Sequence, residues 1–69
     1  MMKLSARNQL KGTITSVHKG ATTGHVLIDI GGGVIVTSSI TNEAIDELAL
    51  NVGDEAIAVI KASDVMVAK

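Results

Sequence analysis

From Gln9 to His18 the chain reads QLKGTITSVH and its side chains alternate. Leu10, Gly12, Ile14 and Ser16 fall on one face, and Lys11, Thr13, Thr15 and Val17 fall on the other. A period of two predicts a β-strand. KGATTG, Lys19 to Gly24, is built of small turn-forming residues and predicts a loop. A second strand follows in HVLIDI, with Val26, Ile28 and Ile30 in phase, and a third in VIVTSSI, Val34 to Ile40. Between them Gly31-Gly32-Gly33 supplies the positive-φ freedom of a tight hairpin.

The period then changes. In TNEAIDELAL the apolar residues Ala44, Ile45, Leu48 and Ala49 recur at helical spacing while Glu43, Asp46 and Glu47 face away. Thr41 or Asn42 can cap this helix, and Glu43 suits its dipole. NVGDE closes it with a turn at Gly53-Asp54, EAIAVIK makes a fourth strand from Glu55 to Lys61, ASD turns, and VMVA makes a fifth strand. The order β-β-β-α-β-β predicts a mainly-β fold: an OB-like five-stranded Greek-key barrel with one short helix between strands 3 and 4, residues 1–69 forming one domain. A small open antiparallel sheet is the alternative. Strands 2, 3 and 4 are apolar on both faces, with Leu27 beside Val26, Ile35 beside Val36 and Ile57 beside Ala56. A barrel with one face inward and the other in a subunit contact accounts for that better than an open sheet.

Composition strengthens the expectation of partners. Hydrophobic residues make up 46% of the chain, yet Phe, Trp and Tyr are absent, so aliphatic side chains do all the packing. A domain of this size buries only about 60% of the surface its unfolded chain exposes. Such domains lean on disulfides, metals or partner subunits. With no Cys, disulfides and thiolate sites are excluded, and two His supply an imidazole site poorly. Oligomerisation is the remaining support, in keeping with a mean hydropathy of +0.42. Net charge is −1, from 6 basic and 7 acidic residues, so no field favours nucleic acid or an anionic membrane. No apolar run approaches the roughly 20 residues of a membrane span. Met1-Met2-Lys3-Leu4 gives way at once to the polar SARNQ, unlike a secretory leader, and a cytoplasmic location is expected.

Two common function classes lack their physical handles. Single-strand nucleic-acid binders stack bases on aromatic rings beside a basic groove, and this chain has neither. For nucleophilic catalysis Ser5 or Ser63 could be grouped with His18 or His25 and with Asp29 or Asp64, but no spacing selects one set. No catalytic residues are therefore assigned. GGG is followed by neither Lys-Ser/Thr nor a helix, so it reads as a hairpin and not as a phosphate loop.

What stands out is a concentration of hydrogen-bond donors. SARNQLKG, Ser5 to Gly12, places a hydroxyl, a guanidinium and two amides at the mouth of a strand, and IKASDV, Ile60 to Val65, brings Lys61 and Ser63 at the end of another. A compact dianion asks for such a set: cations for charge, hydroxyls and backbone amides for direction, and no acceptor to repel it. Ser5, Arg7, Asn8 and Lys61 offer those groups.

These stretches carry a resemblance. SARNQLKG near the start, TSSIT before the helix and KASDVMVA at the end are similar to the molbindins (Mop family), small molybdate and tungstate binding proteins, and to related modules of molybdate-responsive regulators and transport ATPases. The similarity spans essentially the whole chain. It implies an OB-like barrel assembled as a homohexamer, a trimer of dimers, holding molybdate or tungstate at subunit interfaces for intracellular storage or homeostasis of molybdenum. The metal would be bound only as its oxyanion, with no protein-metal ligands and no cofactor. By position, the resemblance implies a pocket of Ser5, the Ala6 amide, Arg7 and Lys61, supported by Ala62 and Ser63, with Thr41 reaching in from a neighbouring subunit. Related regulator modules carry a Ser three residues after that Thr, where this chain has Ala44. Gly12 matches a family glycine that lets strands approach. A second oxyanion site near a symmetry axis would draw on His18, Lys19, Gly20, Thr22 and Thr23. The competing expectation is a stand-alone OB module that binds nucleic acid or serves only as an oligomerisation unit.

Overall fold

The computed structural model describes residues 5–69; Met1–Leu4, on which the expectation about a secretory leader rests, lie outside it. Strands β1 (Asn8–Lys19), β2 (Thr23–Gly31), β3 (Val34–Thr41) and β4 (Glu55–Ile60) surround one helix, α1 (Asn42–Glu47), and a 3₁₀ turn at Ala62–Asp64 follows β4. The four strands form one antiparallel sheet in the order β3-β2-β1-β4. The long β1 organises it: residues 8–13 pair with β4, residues 13–19 pair with β2, and Thr13 is shared by both. A strand used on both edges along different halves of its length coils the sheet toward a barrel.

Two local features fix this path. At Gly12 a Cβ would stand 2.5 Å from the Asp29 carbonyl oxygen and 2.7 Å from Ile28 Cγ2, so only glycine admits β2 this closely. At the β2–β3 turn Gly32 and Gly33 have φ of 62° and 80°, the left-handed pair a two-residue hairpin requires, and the Gly31 N–H is held by Asp29 Oδ1 at 2.8 Å.

The alternation in β1 breaks at a point that QLKGTITSVH does not mark. The ladder slips between Ile14, opposite Ile28, and Ser16, opposite Leu27. This bulge at Thr15 reverses the faces, so that Val17, opposite the buried Val26, packs on the core in the place expected of Ser16. The core is small: Ile14, Val26, Ile28, Ile45 and Ala58 are buried, with Leu10, Val17, Ile30, Val36, Ile40, Leu50 and Ala56 partly buried around them.

The helix forms as expected. Thr41 caps it, its Oγ1 accepting from the Ala44 N–H at 3.0 Å, and Ile45 is its buried anchor. Leu48, expected on the buried face, is 66% exposed because the helix ends at Glu47. Ala49 then takes a left-handed φ of 50°. Its N–H bonds Asp46 O at 3.0 Å and the Leu50 N–H bonds Ile45 O at 3.1 Å, a Schellman ending with alanine where glycine is usual.

The fold is thus mainly β and OB-like, with the helix between β3 and β4. The fifth strand is the departure: Val65–Ala68 lies unpaired after the 3₁₀ turn, with Met66 94% and Val67 91% exposed. With no fifth strand seated, β3 and β4 remain the free edges of the sheet.

Candidate functional site

The last pair of the β1–β4 ladder is Asn8 opposite Ile60, so the segments preceding β1 and following β4 leave the sheet together. Asn8 Nδ2 also donates to the Ile60 carbonyl at 3.2 Å, spending an expected ligand donor on locking this end. One residue beyond that pair, in sequence, stand Arg7 on the entering segment and Lys61 on the leaving one. Ala6 is buried and pins the entering segment, while Ser5 and Arg7 are exposed. On the leaving segment the 3₁₀ turn, closed by Asp64 N–H to Lys61 O at 2.9 Å, presents Lys61, Ala62 and Ser63 to solvent.

Two cations at adjacent positions repel unless an anion lies between them. Neither has a carboxylate partner, since Lys19–Asp46 is the ion pair found among the described residues. Asp64, in the same turn, is the acidic residue nearest in sequence and weakens the field that an anion would meet. The donors sit on open surface: neither the 340 Å³ cavity beside α1 nor the 810 Å³ cleft between β3 and β4 is lined by them.

Thr41 stands at the opposite end of the sheet, where it pairs with Thr23 in the β2–β3 ladder. In one chain the segments that carry Ser5, Ala6 and Arg7 and Lys61, Ala62 and Ser63 therefore leave the same end of the β1–β4 ladder, and Thr41 stands at the other end of the sheet. Thr41 Oγ1 uses a lone pair to cap α1, which leaves its O–H free to donate. At Ala44 there is a methyl, and the position contributes only its backbone N–H to the cap.

The second expected set, His18, Lys19, Gly20, Thr22 and Thr23, does converge on the β1–β2 hairpin, but its donors are partly engaged. Lys19 Nζ pairs with Asp46, and the Gly20 N–H bonds Thr23 O at 2.8 Å. Asn42, read in sequence only as a cap, is the clasp: its N–H bonds Thr22 O and its Nδ2 bonds Gly20 O, each at 2.9 Å. Its Oδ1 is a buried acceptor with no partner, and an acceptor there opposes an anion. His18 faces His25 across the ladder, both exposed. A polar residue at the junction of β3 and α1 was the one available signal for Asn42, and it does not separate a clasp from a cap.

The geometry defines a small OB-like β module in which the donor-rich segments before β1 and after β4 leave one end of the sheet. Comparison with known proteins identifies the family. The TOBE domain profile matches residues 4–67. A probable molybdenum-pterin-binding protein of Haemophilus influenzae is 53% identical over 66 residues, covering 96% of each chain. A molybdate-binding protein from Sporomusa ovata superposes with a TM-score of 0.92 at 32% identity, covering 99% of this chain and 100% of that one. The cytoplasmic molybdate-binding protein ModG, in a form with molybdate bound, superposes with a TM-score of 0.89 at 46% identity, covering 94% of this chain and 46% of ModG. The chain belongs to the TOBE domain family and, within it, to the Mop group of molybdate-binding proteins.

Proposed function

We propose that the protein binds molybdate, and tungstate equally, between subunits of a cytoplasmic homohexamer, and that it stores or buffers the oxyanion without catalysing a reaction. The observation that carries this reading is the Asn8–Ile60 pair that ends the β1–β4 ladder, because Arg7 and Lys61 flank it in sequence as exposed cations without a carboxylate partner among the described residues. Ser5 and Ser63 add hydroxyls, and the Ala6 and Ala62 amides add direction. Thr41, at the far end of its own sheet, fits as a donor from a second subunit, which makes the complete site an interface. Molybdate is a fully deprotonated tetrahedral dianion at neutral pH and only accepts hydrogen bonds, so a cluster of donors suits it. A monoprotonated phosphate would need an acceptor.

Sulfate has the same charge and a smaller radius. Donors held on rigid strand ends discriminate by size, since the smaller anion cannot reach opposite walls at once. In the second cluster, an oxyanion would have to draw Lys19 away from Asp46, so that site is the weaker. No helix among the described residues is long and apolar enough to cross a membrane.

Titration calorimetry with molybdate, tungstate and sulfate at low and high salt tests the reading. Near-equal molybdate and tungstate affinities are expected, with sulfate weaker by about tenfold or more, the worth of one charged hydrogen bond. Equal affinity for all three, fading together with salt, would reduce the cluster to a patch of charge.

A further inference from the structure

We infer that His18 and His25 form a cross-strand pair that binds a divalent transition-metal cation, such as zinc or nickel, between their two imidazoles. The inference goes beyond the proposed function and is independent of the anion site read at Arg7 and Lys61.

Two histidines are a poor supply by composition, but the β1–β2 ladder sets the chain's two directly opposite each other. Opposed side chains share one face of a sheet, with Cβ atoms about 4.5–5.5 Å apart. Two bonds of about 2.0–2.1 Å to one zinc ion place the ligand nitrogens roughly 3 Å from each other, a separation that imidazoles on such a pair reach by choice of rotamer. The ladder therefore supplies a chelate that composition did not announce.

The face that carries the pair is open. Val17 and Val26, the next pair in the ladder, pack on the core, so by alternation His18 and His25 stand on the outer face, and both are exposed. The helix covers the other side: a Cβ at Gly24 would stand 2.7 Å from Ile45 Cδ1, and Lys19, opposite Gly24, pairs with Asp46 of α1. Around the imidazoles on their own face the strands place Ser16, Thr23, Leu27 and Ser39, the last opposite His25 in β3. None of these is a cation that would repel a metal ion. None is a carboxylate either, and nitrogen donors without carboxylates favour zinc and nickel over calcium and magnesium, which take oxygen ligands. No group of three or more His, Cys, Asp or Glu converges on a metal position among the described residues, so water completes the coordination sphere.

Calorimetric titration of the parent, His18→Gln and His25→Gln with zinc chloride and with nickel chloride tests the pair. The buffer is free of oxyanions and held at about pH 8, so that protons do not compete for the rings. The parent is expected to bind one ion per chain, and calcium and magnesium are expected to give no heat. Loss of either imidazole should weaken zinc and nickel by about a hundredfold or more, because the second contact of a bivalent pair is intramolecular. Imidazoles that bound separately would leave each variant with half the sites at the parent's affinity. That result overturns the pair, as does a parent that binds neither metal. A second readout needs no variant: zinc should move the ring-proton resonances of His18 and His25 in the parent along one titration curve. Two separate curves, or one ring that does not respond, also overturn the inference.

Discussion

Asn8 and Ile60 form the clasp on which the donor cluster hangs. They are 52 positions apart in sequence, they close the β1–β4 ladder, and the Asn8 side chain adds a bond to the Ile60 carbonyl at 3.2 Å. Asn8→Ala removes that bond and leaves the backbone pairing. The expected cost is about 0.5–1.5 kcal/mol of stability, with weaker molybdate binding although Asn8 is not assigned to the anion. Calorimetry and thermal unfolding on the same sample check both; unchanged affinity would show that the strand ends hold their positions without the clasp.

The charge on the site comes from Arg7 and Lys61. Arg7→Ala or Lys61→Ala is expected to weaken molybdate by about tenfold to a hundredfold, the range for losing a hydrogen bond to a charged group. The melting temperature of the unliganded protein should hold, because both side chains are exposed and neither forms an ion pair among the described residues. Asp64→Asn should act in the opposite direction on affinity, tightening it by up to about fivefold, for roughly 1 kcal/mol of Coulomb energy in water. Parent-like binding in both alanine variants would move the pocket elsewhere.

Gly12→Ala tests the close approach of β1 and β2. A methyl group 2.5 Å from the Asp29 carbonyl must push backbone, not a flexible side chain. A loss of about 1–3 kcal/mol is expected, lowering the melting temperature by about 4–8 °C per kcal/mol in a domain of this size.

Ala49→Gly should do the reverse. Alanine at a φ of 50° carries the left-handed penalty, and glycine removes it at some cost in unfolded-chain entropy. The net expected gain is up to about 1 kcal/mol, read as a higher melting temperature with molybdate affinity unchanged.

What the sequence disclosed and what it hid follow from the range of the interactions. Local chemistry was legible: the glycine hairpin at Gly31–Gly33, the Thr41 cap and the Ile45 anchor each depend on neighbours a few positions away. The bulge at Thr15 was not, because QLKGTITSVH alternates without a break and the slip is set by the β2 partner. The end of α1 was missed by a turn, as Leu48 continues the helical spacing while Ala49 breaks it with no glycine to announce the change. VMVA has strand composition, but composition does not seat a strand, and after the 3₁₀ turn the segment pairs with neither free edge, β3 nor β4. For the site, the donor types were readable from SARNQ and KAS. Their meeting depends on the Asn8–Ile60 register, and the engagement of Lys19 by Asp46 depends on how α1 packs over the hairpin.

The placement of Lys61 and Arg7 on opposite ends of the chain sets an order in time. During synthesis Ser5, Ala6 and Arg7 emerge before Lys61 and Ser63. Bringing them together closes a loop of more than fifty residues, so the β1–β4 ladder is the pairing with the greatest loop-closure cost. The two donor segments of the candidate pocket therefore depend on the costliest pairing in the sheet. An oxyanion bound by both would be bound only by chains extended past Ser63, and a chain stalled before Lys61 would leave it in solution.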